Sequence, residues 1–245
     1  MPCNALAFYN LDKYKKHTDM RLKYLCLIFS CFIFVSGCSH KEPFRIETLA
    51  KSEIDMVADQ HLKVANQLLA ELLLKLYARN PRELDKTSYS VEYRAQQLFG
   101  EYRLLQGTKE TRDSKGSDTL LLAVDESFSG DRVFALMYGL TGMIQTSYNN
   151  QDEFFITDSL DEQRLYNSAR NIEILLWRLQ QVDDENNQPL ILTNATGPEI
   201  NLSFERLFGK LIANQDMMAQ LIARKNHRVI RSAVHTIGSL IFLPI

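Results

Sequence analysis

The chain has 245 residues, 45% of them hydrophobic and 24% charged, with a formal net charge of -2. That is enough material for one domain with a proper apolar core. The mildly acidic balance excludes the global basic field that a nucleic-acid partner would require.

Reading begins at a leader. Met20-Arg21-Leu22-Lys23 is a short basic start, and Tyr24 to Val35 is an apolar stretch of twelve residues. Crossing a bilayer needs about 20 apolar residues, so this stretch suits a signal peptide better than a span. The nineteen residues before Met20 are polar and mixed in charge; either they are a long n-region or the chain truly starts at Met20, and the second is favoured. Directly after the apolar stretch comes Val35-Ser36-Gly37-Cys38. This run resembles the lipobox of bacterial lipoproteins. The resemblance implies removal of residues 1–37, two or three acyl chains on Cys38 and a bacterial envelope address. Ser39, rather than Asp, resembles the outer-membrane sorting pattern and favours the periplasmic face of that membrane. The competing reading is an uncleaved anchor with an ordinary Cys38; the small residues Ser36 and Gly37 argue for processing.

The other cysteines, Cys3, Cys26 and Cys31, all fall in the leader. The remaining domain is therefore expected without disulfides, thiolate nucleophile or Cys-based metal site, although its compartment would be oxidising. One acyl chain holds a membrane only marginally, so durable anchoring takes more than one. Loss of the leader moves the net charge to -5. Charge is uneven beyond that: Ser147 to Leu202 sums to -7 and Ser203 to Ile245 to +4. Complementary faces within one fold are the expected use; a basic face touching anionic lipid or wall polymer is the alternative.

Residues 38–45 read as a lipidated terminus and tether, and 46–245 as one all-α domain of about six to seven helices. From Ile46 to Arg79 apolar residues recur at spacings of three and four, including Ile54, Ala58, Leu62, Ala65, Leu69, Leu72 and Leu76. That helix would be roughly 50 Å long, so an internal break is expected, and Asn80-Pro81 ends it. A weaker helix follows from Pro81 to about Leu105, then a charged, mobile loop from Gly107 to Ser117. Helices are expected at Thr119–Glu126 and from Asp131 to about Ser147, then a turn at Asn149-Asn150. Ser159-Leu160-Asp161-Glu162 fits a capping box, opening a helix that buries Leu165, Ala169, Ile172, Leu176 and Leu179. Asp183 to Pro189 is a polar loop, and Leu190-Ile191-Leu192 a short extended piece without an evident partner. Asn201 or Ser203 caps a helix to about Asn226, with Leu207, Leu211, Met218, Leu221 and Ile222 inward. A last helix is expected over Val229–Leu243, with the apolar Leu240–Ile245 end docked on the core or offered to a partner. No fixed-period repeat is visible.

The chemistry-bearing residues are sparse. His40, His61, His227 and His235 lack ligand spacing, and no phosphate loop or nucleophile turn is present, so no metal and no cofactor is expected. His61 reads as an interfacial residue. Leu120-Leu121-Leu122-Ala123-Val124-Asp125-Glu126-Ser127 is followed by Gly139-Leu140-Thr141-Gly142-Met143-Ile144-Gln145. These runs are similar to lytic transglycosylases, which end an apolar helix with Glu-Ser and place a Gly-Leu-Met-Gln-like run nearly twenty residues on. The resemblance implies Glu126 as acid and then base on a peptidoglycan glycosidic bond, in a partly buried site that raises its pKa. It covers about 25 residues, the run here is Gly-Met-Ile-Gln, and Asp131–Met143 reads as helix where the family has a loop. Otherwise Glu126 is a helix-end residue. Gly139 and Gly142 either let a neighbouring backbone approach or line a site for a lipid-like ligand. Arg164, Arg170, Arg178 and Asn171 are expected to pair with nearby carboxylates.

Three functions follow as expectations. The first is a membrane-tethered envelope lipoprotein whose domain binds or scaffolds an envelope protein partner without catalysis. The second is a peptidoglycan-cleaving enzyme using Glu126, and the third a carrier of a lipid-like ligand.

Overall fold

A computed structural model describes residues 51–100, 103–104, 106–183, 188–194, 201–231 and 241–245. The leader, Cys38, Ser39 and the tether lie outside the described residues. The described residues form seven α-helices: α1 (Glu53–Arg79), α2 (Pro81–Leu84), α3 (Val91–Phe99), α4 (Ser117–Ala123), α5 (Arg132–Ser147), α6 (Glu162–Gln181) and α7 (Ser203–Asn226). The domain is all-α, and the described residues contain no strand, only isolated bridge positions such as the pair Asp183 and Pro189.

The chain ends each helix by local chemistry. Ser52 precedes α1 in an extended conformation, and its amide and hydroxyl both donate to Asp55 Oδ2, at 2.7 and 2.6 Å. Burial works to raise the Asp55 carboxyl, but these bonds and Lys225 outweigh it and hold the group below its ordinary range. From there α1 runs unbroken for 27 residues, about 40 Å, and starts at Glu53, inside the Ile46–Arg79 run expected from the sequence. Asn80 closes it as expected. Its amide donates to the carbonyls of Leu76 (2.9 Å) and Leu192 (2.8 Å) and accepts from the Leu192 amide (2.7 Å). The short piece Leu190–Leu192 is therefore held by a side chain, not by a partner strand.

The single helix expected from Pro81 to Leu105 is two. Thr87, Ser88 and Ser90 interrupt it, because short hydroxyl side chains offer the backbone rival hydrogen bonds. Thr87 Oγ1 takes the Tyr89 amide at 3.0 Å, and Ser90 then caps α3 by accepting from Tyr93. The loop expected over Gly107–Ser117 contains a single 3-10 turn, Lys109–Thr111, pinned by the buried Thr111 hydroxyl, which donates to Thr108 and Ser114 carbonyls. Helix α4 stops at Ala123, three residues short of expectation. There Arg132 takes the Ala123 carbonyl at 3.0 Å and, just beyond the helix, the carbonyls of Asp125 at 2.6 Å and Glu126 at 3.0 Å.

Helix α5 is the centre of the molecule. It is buried over nearly its whole length and packs on α1, α2, α3, α4 and α6. Two carboxylates hold its N-terminus: Asp131 accepts from the Phe134 amide and Glu83 from the Arg132 amide, both at 2.8 Å. Asn149 and Asn150 both turn left-handed (φ 57° each) and reverse the chain, as their residue type permits.

Helix α6 is capped two residues later than expected. Asp161, not Ser159, accepts the amides of Gln163 (2.8 Å) and Arg164 (3.0 Å). Glu162 is drawn into a tertiary contact instead, accepting from Asn226 at 2.9 Å. Leu175 takes the fully buried place expected for Leu176, while Leu165, Ala169, Ile172 and Leu179 are buried as expected. On α7, Leu207, Leu211, Met218 and Ile222 are buried and Leu221 is half-buried. The neighbouring Leu202 makes no side-chain cap; Asn201 accepts the Ser203 amide at 3.0 Å. The helix expected over Val229–Leu243 is missing at both of its described ends, since 229–231 and 241–243 are non-helical. Pro244 disfavours helical geometry at Leu243, and side-chain amides of α6 take up that backbone instead.

Candidate functional site

A cavity of about 890 Å³ lies beside α5, within the range of about 300–1,000 Å³ usual for ligand sites. Leu98 of α3, Leu121 of α4, Met143 of α5 and Leu104 give it apolar walls. Residues 241–245 close another side, with Phe242 and Ile245 packed against the core and Ile241 70% exposed.

Polar and charged residues make up the rest of the lining. Arg103 pairs with Asp152 at 2.5 Å, and Lys115 and Asp118 stand exposed at the opening. The Arg178 guanidinium lies 5.4 Å from the centroid of the Phe242 ring, and burial depresses its pKa. Tyr138 donates to the Gln106 carbonyl at 2.5 Å, and burial pushes its hydroxyl up. Thr141 also lines the cavity; it is 4% exposed and its hydroxyl has no hydrogen-bond partner among the described residues.

The two small residues singled out in the sequence turn out to do different things. Gly139 faces the start of α4: a Cβ there would lie 2.8 Å from both Gly116 O and Leu120 N. Close backbone packing is thus its reason for being glycine. Gly142 lines the cavity, and a Cβ there would meet nothing nearer than Gly116 N at 3.5 Å. One turn of helix separates a packing contact from a cavity wall.

Glu126 lies beyond the end of α4 with its side chain exposed, and it is not among the residues lining the cavity. Its backbone is held by Arg132, while Gly142, Met143, Ile144 and Gln145 all sit within α5. The neighbouring Asp125 accepts from the Ser127 hydroxyl (2.8 Å) and amide (3.0 Å), which hold its carboxyl below the ordinary range. His61 is interfacial as expected: its ring faces the Asn214 carbonyl at 3.2 Å, and Asn214 donates back to the His61 carbonyl. Among the described residues no three His, Cys, Asp or Glu side chains come together as metal ligands, and no helix is long and apolar enough to cross a membrane.

The polar residues of α6 divide. Arg170 pairs with carboxylates as expected, Asp216 at 2.6 Å and Glu173 at 3.1 Å. Asn171 does not. It is completely buried, accepts from the Leu243 amide at 2.7 Å and donates to the Leu243 carbonyl at 2.9 Å. Asn167 donates to the Pro244 carbonyl at 2.9 Å. Sequence reading missed this arrangement, yet a signal existed. Gln163, Asn167 and Asn171 recur every four residues on a helix whose apolar face is already complete, a pattern of amides that a solvated face does not need. No protein-family model, no curated protein and no solved structure matches this chain.

Proposed function

We propose that this chain is a lipid-anchored envelope protein whose helical domain is a non-enzymatic binding module. The lipobox-like run ending at Cys38 supports the anchor, with Ser39 pointing to the periplasmic face of an outer membrane. The observation that carries the binding half is the cavity beside α5, apolar within and edged by Arg103, Lys115 and Arg178. Such a site recognises shape and apolar surface, with a few polar groups fixing orientation. A carrier of a lipid-like ligand is the second reading, favoured by Gly142 in the cavity wall. The enzyme reading draws no support from that cavity. Its general acid needs a desolvated carboxyl, and Glu126 is exposed and outside the lining.

Anilinonaphthalene sulfonate, an apolar anion that fluoresces when desolvated, probes the cavity directly. The unmodified chain in mild detergent is expected to bind it saturably. Gly142→Leu sends a side chain into the cavity and should weaken binding about tenfold, the effect of displacing roughly 1.4 kcal/mol of contact, without loss of helical circular dichroism. No saturable binding, or equal binding by the variant, would count against the reading.

A further inference from the structure

We propose that the amide face of α6 is a groove for an extended apolar peptide, and that residues 241–245 are its resident occupant. The proposal deepens the binding reading and rests on it, because it names the partner class for the same corner of the molecule.

The bonding pattern carries the proposal. Asn171 grips both the N–H and the C=O of Leu243, at 2.7 and 2.9 Å. One side chain can do this only where both groups of a residue point the same way, as they do in an extended chain. Pro244 keeps Leu243 in that conformation. Asn167 then takes the Pro244 carbonyl, and Gln163 donates to Asn167 Oδ1 at 2.9 Å, which orients the ladder. Gln163 also grips Arg231 at both its amide (2.9 Å) and its carbonyl (3.1 Å). Each of these bonds to the held segments goes to main chain and none to a side chain. Main-chain recognition supplies affinity without sequence, and side-chain pockets add selectivity.

The pockets are present as well. Phe242 and Ile245 pack against the core, whereas Ile241 points to solvent. Arg178 stands over the Phe242 ring. The resident segment thus defines its own replacement: an extended peptide with an aromatic residue, an extended residue before proline, and an aliphatic residue following. Gln163, Asn167 and Asn171 lie on the same i, i+4 row as Leu175 and Leu179, so displacement of the segment uncovers amides that border the core face of α6. An occupant on the same chain competes intramolecularly, so the unmodified chain should mask the groove.

The test uses the full chain in detergent and a fluorescein-labelled, lysine-tagged synthetic peptide with the sequence of residues 240–245. Phe242→Asp with Ile245→Asp unseats the resident segment and leaves the ladder untouched. This variant should bind the peptide at least about tenfold more tightly than the unmodified chain. Adding Asn171→Ala should weaken that binding again by about tenfold, the loss expected for two main-chain hydrogen bonds. A folded variant that binds no more tightly than the unmodified chain overturns the proposal. If the variant does not fold, amide exchange decides: peptide in excess should accelerate exchange at Leu243 of the unmodified chain, and unchanged exchange overturns the proposal. A dimer of the unmodified chain that dissociates in the variant would make the occupant a second copy and equally overturn the peptide assignment. Dye binding by the unmodified chain is read in parallel. Dye bound without peptide binding removes this inference alone, whereas loss of both removes the cavity reading too.

Discussion

Arg94→Ala is expected to destabilise the domain by about 3–5 kcal/mol, the range for stranding one member of a buried ion pair. Arg94 is completely buried, and its guanidinium serves several partners at once. It lies 3.3 Å from Asp131, donates to Glu110 at 2.9 and 3.1 Å and to Gln97 at 2.9 Å, and covers the Phe134 ring at 3.8 Å from its centroid. Asp131 in turn accepts from Tyr77 at 2.7 Å while capping α5. Removing the cation leaves that desolvated carboxylate with its two hydrogen bonds but without its buried counter-charge. Arg94→Met combined with Asp131→Asn should recover part of the loss, because asparagine still caps a helix and carries no charge. Urea unfolding followed by circular dichroism measures both variants. A loss below about 1 kcal/mol for Arg94→Ala would place the pair among exposed ones of little consequence.

The second large effect separates two glycines three residues apart. Gly139→Ala drives a methyl group against backbone atoms of Gly116 and Leu120 at 2.8 Å, neither of which is a flexible side-chain end. A cost of about 1–3 kcal/mol follows from such overpacking. Gly142→Ala meets only ordinary contact distances and gains up to about 1 kcal/mol of helix propensity. Opposite signs in thermal or urea unfolding would confirm the division between packing and cavity wall. Two equal losses would mean that Gly142 is also a packing residue.

Much of the fold was legible where a signal is local. Asn80-Pro81, Asp131 and the Asn149-Asn150 turn each shape the backbone within a few positions of themselves, whatever distant contacts they also make. Errors arose where local options compete. Ser159 and Asp161 both suit a cap, and the tertiary use of Glu162 by Asn226 settles between them. Leu175 and Leu176 differ by one step around α6, a choice made by neighbours distant in sequence. The closing segment looked helical by apolar spacing, yet Pro244 and the amides of α6 hold its end otherwise.

The candidate site was legible only in fragments. Gly139 and Gly142 were both visible, but their separate roles depend on Gly116, more than twenty residues away and brought beside α5 by the short α4. The cavity draws its walls from α3, α4, α5, α6 and residues 241–245, so no single stretch of sequence encodes it. The Arg94–Asp131 pair spans elements in the same way. By contrast, the lipobox-like run is contiguous, so the proposed anchor rests on four adjacent residues and needs no help from the fold.

That run is also where the account is most directly tested, by the intact mass of membrane-extracted protein from the unmodified chain and from Cys38→Ala. The account predicts a product that begins at Cys38 and carries added acyl mass, absent from the variant. A retained leader with an unmodified Cys38 would contradict it, and with it the membrane tether and envelope address.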